Sequence, residues 1–420
     1  MIKLPYGKEF LEIDEKILNA TVLMSKEVNR IENIKLELIN KIENPIKSKP
    51  LSKIISKAKK MLLLVPDKTR AFPSKMILPI FLESIGRNDI EIKILIATGL
   101  HKPHTINELR EILGDKILNE YEVKCHDAED YNQIIRLNKK TRFGTPIEVN
   151  NEIFNNELVI GFGLIEPHFF AGYSGGRKII LPGIASSKAI YCNHSFKMIE
   201  HPYARYGYLN GNPIHEDMIE FMNKTKLDFI VNVTIDKNKN ITGIFCGNPI
   251  EAHIRGVEFL NSYVKVPVNK TFDIVITTNG GYPLDRNLYQ AVKGMATGEL
   301  IVNRNGVIII ASECIDGLGG HDEFYNMFLE TKNPIKVLEK IKREEPIKDQ
   351  WEAQVLARIL MKARIIVVSK MKQSIIEDML MIPASTIDEA INEAIKIINK
   401  DKPKVAIAPE GPYIIPEIKD

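Results

Sequence analysis

"ELVIGFGLIEPHFFAGYSGGRKIILPGI" occupies residues 157–184. Its opening run, Leu158 to Gly163, is continuously apolar or glycine, bounded by turn residues and too short for an ordinary helix, so it reads as a strand buried on both faces. Chemistry follows at once: Glu166, His168, two phenylalanines, the Ser174-Gly175-Gly176 turn, then Arg177 and Lys178 ahead of an apolar run closed by Pro182-Gly183. In open parallel sheets ligands collect beyond the carboxyl ends of the strands, which is where these groups fall.

The same pattern recurs outward from this stretch. "MLLLVPD" (61–67), "IKILIATG" (92–99), "FIVNVTI" (229–235), "FDIVITTNGG" (272–281), "GVIIIAS" (306–312), "RIIVVSK" (364–370) and "KVAIAPEG" (404–411) alternate with longer helical patterns. That alternation predicts an α/β fold with parallel sheets. The helical stretch 250–266 followed by "PVNKT" reads as the end of one unit. The expectation is two Rossmann-like α/β domains, an N-terminal one over 1–268 and a C-terminal one over 269–420, with a cleft between them.

Composition narrows the function. The 420 residues are 44% hydrophobic and 26% charged, enough for two ordinary cores. Lys and Arg exceed Asp and Glu by only three, without a long basic run, which argues against nucleic acid as the partner. The four cysteines form no CxxC pair, so neither a disulfide framework nor a zinc ribbon is expected and a reducing cytoplasm fits. The N-terminus lacks the apolar core of a signal peptide, and no apolar run reaches the roughly 18–20 residues of a membrane span.

Several motifs carry candidate chemistry, each with a plainer alternative. A P-loop reading of the glycine turn fails, because Arg177 stands where its second glycine belongs and Ile179 where its hydroxyl belongs. The backbone of Ser174, Gly175 and Gly176 could still approach an anion, with Arg177 or Lys178 neutralising it; the alternative is a tight turn with solvated basic residues. Histidines gather near strand ends: His101 and His104 in "ATGLHKPHT", His168, and His194 in "YCNHS". Histidine exchanges protons near neutral pH and binds borderline metals, but the spacing matches no common zinc motif. Asp67, Thr69 and Arg70 follow a buried strand, and an arginine there suits a carboxylate, or else sits beside a simple N-cap. "TTNGGYPLDRNLYQAVKGM" (277–295) places Tyr289 and Lys293 four apart on one helical face with Gln290 between them.

Taken together, "EPHFFAGYSGGRKIILPGI", Asn193-His194, "PYARYG", "NPIHEDM", "TTNGGYPLDRNLYQAVKGM" and "QWEAQVLARIL" resemble, in order, the blocks of the nickel-pincer lactate racemase family, over roughly residues 60–400. The resemblance implies an isomerase that interconverts the C2 configuration of a 2-hydroxy acid, lactate first, by proton-coupled hydride transfer through a 2-keto acid. It implies a nickel-pincer nucleotide attached covalently at Lys178, with His194 as the nickel's protein ligand and Ser174, Gly175 and Arg177 near the cofactor. His101 and His168 would be the two acid/base groups, while Arg70, Tyr289, Gln290 and Lys293 would bind substrate, Lys293 also polarising it. Partner enzymes would build the cofactor. Two positions depart from the family's usual pattern: Ala71 follows Arg70 where proline is common, and Lys102 follows His101 where arginine is common, which leaves His104 as a second candidate base. Competing readings are a racemase for a larger 2-hydroxy acid, a nicotinamide oxidoreductase, for which no GxGxxG after a strand is found, and a nickel or cofactor carrier without turnover.

Overall fold

The computed structural model describes residues 1–14, 18–87 and 89–419. All eight apolar runs are strands, and they divide between two six-stranded sheets. Across the first, the order is Ile241–Gly247, Phe229–Ile235, Leu158–Leu164, Lys60–Pro66, Glu91–Ala97 and Glu122–Cys125. Only the Phe229–Ile235 and Ile241–Gly247 pair is antiparallel; the other pairings are parallel. The second sheet is parallel throughout, in the order Ile382–Ala384, Ala363–Val368, Val302–Ala311, Phe272–Thr278, Val405–Ala408 and Thr21–Val22.

Burial explains why these strands read as uninterrupted apolar runs. Met61 to Val65 and Val159 to Ile160 are essentially inaccessible, because helices cover both faces of the first sheet. Chain order reverses direction in each sheet, between Lys60–Pro66 and Leu158–Leu164 in the first and between Phe272–Thr278 and Val405–Ala408 in the second. Such a reversal splays the loops at the carboxyl ends and opens a crevice there. In the second sheet the Thr278 hydroxyl closes the base of that crevice by donating to the Pro409 carbonyl at 2.8 Å.

The first residues of the chain pack against the second sheet. The hairpin Ile2–Tyr6 with Glu9–Ile13 packs Leu4, Tyr6 and Ile13 into the core of the second sheet, and Thr21–Val22 pairs with Val405–Ala408. These residues, placed from sequence in the N-terminal stretch 1–268, thus make their contacts with the second sheet. A two-residue strand has no period to betray it, yet it covers an edge that would otherwise expose unpaired backbone. The 250–266 stretch is the helix Glu251–Val264, and Lys265–Val268 pairs with the returning strand Ile415–Ile418.

Candidate active site

From the first switch point come Asp67 and Arg70 after one strand and Glu166 and His168 after its neighbour. Asp67 is buried; one carboxylate oxygen accepts from Thr69 N at 3.2 Å and Thr69 Oγ1 at 2.6 Å, and the other lies 2.6 Å from His101 Nδ1. Burial alone would raise this carboxyl, but the His101 hydrogen bond and charge, with Thr69 and Arg70, hold it below the ordinary carboxylate value. When the ring is neutral, the ionised Asp67 favours the tautomer with the proton on Nδ1, facing the carboxylate. The His101 side chain is 48% exposed. His104 differs, with its side chain buried, its Nε2 without a partner and its pKa lowered by burial. Of the two histidines in "GLHKPH", His101 is the one that is exposed and tied to a buried carboxylate. Arg70 Nη1 lies 3.5 Å from Glu166 Oε1.

His168 is oriented differently. Its Nδ1 accepts from Ala171 N at 3.3 Å and Phe170 N at 3.5 Å, leaving the proton of the neutral ring on Nε2, 3.3 Å from Lys178 Nζ. Burial, then the charges of Lys178, Arg70 and Lys293, push His168 well below its ordinary pKa.

The glycine turn is held from below. Ser174 N donates to the Glu166 carbonyl at 2.9 Å, Ser174 Oγ donates to Leu164 O at 2.9 Å, and Gly176 N donates to Asn232 Oδ1 at 2.7 Å. Gly175 lies at φ +78°, and a Cβ there would stand 2.8 Å from Asn232 Oδ1, so glycine is required twice over. Arg177 is wholly buried: Nη2 donates to Ala171 O and Tyr173 O at 2.9 and 2.8 Å, and Nη1 to Gly175 O at 3.3 Å. Its guanidinium therefore shapes the loop through three carbonyls. Lys178 has no carboxylate partner among the described residues, and burial followed by Arg70, Arg177 and Lys293 pushes it well below an ordinary lysine. Burial of this kind favours the uncharged, nucleophilic form of a lysine.

His194 caps the helix Ser187–Asn193, buried between Phe170 and Trp351, whose rings meet it nearly edge-on at 5.0 and 5.3 Å. Burial, then Lys178, lowers its pKa to about 3, so it is a neutral imidazole, the form that binds metals. Its Nδ1 is buried without a hydrogen-bond partner.

The second switch point supplies the opposing wall. Asn287 caps the helix Leu288–Glu299 through Gln290 N at 2.9 Å, and Asn279 Oδ1 takes Gly294 N at 3.2 Å, fixing that helix against the strand end. Lys293 Nζ donates to Gln290 Oε1 at 2.5 Å, and burial and Arg70 lower its pKa to about 8 against the pull of Glu352. Tyr289 OH accepts from Trp351 Nε1 at 2.8 Å while its ring stacks on His321 at 3.6 Å, and His321 Nδ1 is tied to Asp349 at 2.8 Å. Tyr206 OH of the first lobe donates to Lys293 O at 3.0 Å, joining the two walls.

The eleven site residues expected from sequence lie in the segments that follow the strands Lys60–Pro66, Glu91–Ala97, Leu158–Leu164 and Phe272–Thr278. Sequence reasoning missed Trp351, Glu352 and the His321–Asp349 pair, although the chain's only tryptophan lies in the quoted "QWEAQVLARIL" block. Among the described residues no three His, Cys, Asp or Glu side chains converge on a metal position, so a metal on His194 would need its other ligands from a bound group. No described helix is long and apolar enough to cross a membrane.

Comparison with known proteins agrees with this arrangement. The lactate racemase N-terminal domain family matches residues 6–207 and the lactate racemase C-terminal domain family residues 268–415. Lactate racemase of Thermoanaerobacterium thermosaccharolyticum is 42% identical over 99% of this chain and 98% of its own length, and that of Lactiplantibacillus plantarum 37% identical over 99% of both. The lactate racemase apoprotein structure from Thermoanaerobacterium thermosaccharolyticum superposes with a TM-score of 0.94 at 40% identity over 99% of both chains. A Thermotoga maritima protein shares the fold alone, with a TM-score of 0.71 at 17% identity. The chain belongs to the lactate racemase family and is a racemase, an isomerase built on two α/β lobes.

Proposed function

We propose that this enzyme racemises a 2-hydroxy acid at C2, with lactate as the substrate, using a nickel-pincer nucleotide anchored at Lys178. The observation that carries the reading is Lys178, a buried amine pushed well below an ordinary lysine, 3.3 Å from His168 Nε2 and within charge range of His194, a neutral buried imidazole. The fit to the cofactor rests on these side chains: an amine free of a carboxylate for covalent attachment, one histidine for the metal's open position, and a glycine turn over the Arg177 charge for an anionic nucleotide. Bound there, the group supplies a hydride acceptor and donor at C2.

The chain's own residues do the rest. Arg70 and Lys293 bind the substrate carboxylate and polarise its oxygens, with Gln290 holding Lys293 Nζ and Tyr289 nearby on the same helix. His101, with Nε2 free and Asp67 behind it, takes the hydroxyl proton on one side; His168, with its proton on Nε2, serves the other. Exchange of the two roles between faces inverts C2, because the flat 2-keto acid offers either face. Excluding water between the lobes keeps the keto acid in place. A carrier without turnover would have no use for the Asp67–His101 pair or for Lys293. Loading by separate cofactor-building enzymes in the cytoplasm belongs to the same reading.

The test is co-production with cofactor-building enzymes, followed by intact mass, nickel analysis and interconversion of D- and L-lactate. A covalent adduct with stoichiometric nickel, absent in Lys178→Ala, and racemisation lost in His168→Ala with the adduct retained, are the expected results. An unmodified chain under conditions that load a known racemase would overturn the proposal.

A further inference from the structure

Glu166 has no assigned role in the reading above, yet its place in the site is unusual. It lies between the strand end and His168, held by two bonds to the glycine turn: its carbonyl accepts from Ser174 N at 2.9 Å and its own N–H donates to Ser174 Oγ at 3.2 Å. Its side chain, 20% exposed, reaches Arg70 Nη1 at 3.5 Å, and Arg70 is its only side-chain partner among the described residues. The other two carboxylates of the cleft are committed elsewhere. Asp67 has both oxygens engaged by Thr69 and His101, and Glu352 is buried, its pKa raised to about 8 by desolvation. Glu166 therefore presents the one carboxylate that an incoming anion must meet at the arginine. Its charge also reaches Lys178, Lys293 and Tyr413.

We propose that Glu166 is a specificity-determining residue, a resident carboxylate that competes for Arg70 and restricts the site to monoanionic 2-hydroxy acids. The inference rests on the racemase reading. Its logic is electrostatic: every negative charge on a substrate meets Glu166 in a partly desolvated cleft, so a dicarboxylate meets the repulsion twice. At separations of about 6–8 Å and an effective dielectric between protein surface and water, each such encounter weakens binding about tenfold. A neutral isostere at 166 then improves a monocarboxylate by one such factor and a dicarboxylate by its square, so the ratio between them moves by about tenfold.

The experiment compares loaded parent, Glu166→Gln and Glu166→Asp with lactate and malate as the mono- and dicarboxylate probes, by racemisation kinetics and by calorimetric binding. Expected are a malate-over-lactate ratio of kcat/KM and of affinity about tenfold higher in Glu166→Gln, a lower KM for lactate, and a ratio near the parent's in Glu166→Asp, which keeps the charge. An unchanged ratio in Glu166→Gln, or an equal change in both variants, overturns the proposal, the second result assigning Glu166 a steric role. A parent that turns over neither acid defeats the racemase reading, while its binding ratio still decides the role of Glu166; a parent that binds neither defeats both.

Discussion

Asp67→Asn is the perturbation that most directly examines how the site prepares a base. Asp67 touches no reacting atom in this reading; it acts through His101, by fixing the proton on Nδ1 and by stabilising the imidazolium formed when Nε2 takes the hydroxyl proton. With charge centres about 4 Å apart and His101 half open to water, an effective dielectric near 40 makes the pair worth about 2 kcal/mol, or roughly 30-fold in rate. Asparagine can also present its amide N–H to the ring, favouring the wrong tautomer, which adds about a further tenfold. The expected fall in kcat/KM is therefore about 10²–10³, inside the range of about 10²–10⁴ for general acid–base catalysis.

The assay is initial-rate racemisation from each pure enantiomer with fully loaded protein, the adduct checked by intact mass. Two enantiomers have equal free energy, so kcat/KM must fall by the same factor in both directions, an internal control that no choice of variant alters. Full adduct with kcat/KM within about threefold of the parent would refute the Asp67–His101 assignment, since even the charge contribution alone exceeds that. Loss of the adduct itself would move Asp67 from proton transfer to cofactor loading.

Three other measurements probe the second lobe. Trp351→Phe removes the 2.8 Å donor to Tyr289 and reshapes the wall against His194; we expect nickel retention to weaken while the Lys178 adduct persists, read by metal content after chelator challenge. Arg358 grips Glu299 through two hydrogen bonds at 2.8 and 2.6 Å with both side chains mostly buried, so Arg358→Ala strands a carboxylate and should cost about 3–5 kcal/mol in denaturant unfolding. Glu352 is raised from the ordinary 4.5 to about 8 by burial, with Lys293 opposing. A folded pKa above the unfolded one gives stability that is full below the unfolded value and lost as pH rises through the folded one. Glu352→Gln should then flatten the decline in melting temperature between about pH 5 and 8 and leave the variant the more stable at pH 8.

What the sequence made legible follows from what each element is made of. Parallel strands buried on both faces announce themselves as apolar runs, and all eight were found. Glu122–Cys125 is half charged, Ile241–Gly247 is an antiparallel edge interrupted by glycine, and Thr21–Val22 is two residues long; none carries a local period. The site followed the same rule. Residues immediately past strand ends could be placed because topology puts them at the crevice. Trp351 could not, since it meets Tyr289 from 62 positions away and His194 from the other lobe, contacts that exist only after the helix Gln350–Leu360 docks.

The centre of the site is governed by dryness. His168, Lys178 and His194 lie together among two phenylalanines and a tryptophan, and burial is the largest cause of the lowered pKa in each. The neutral form is the one each proposed role demands: an amine that can form a covalent bond, an imidazole that can bind a metal, and a histidine whose proton is available for exchange. In water at neutral pH a lysine would be an ammonium and none of this chemistry could begin. Since part of the enclosing wall, Trp351 with Tyr289 and the Tyr206–Lys293 link, comes from the opposite lobe, apposition of the two lobes sets the protonation states of the first lobe's groups as well as the position of Lys293. In the proposed reading, separating the lobes would expose Lys178 and His194 to water along with displacing Lys293, so both switch points are needed at once.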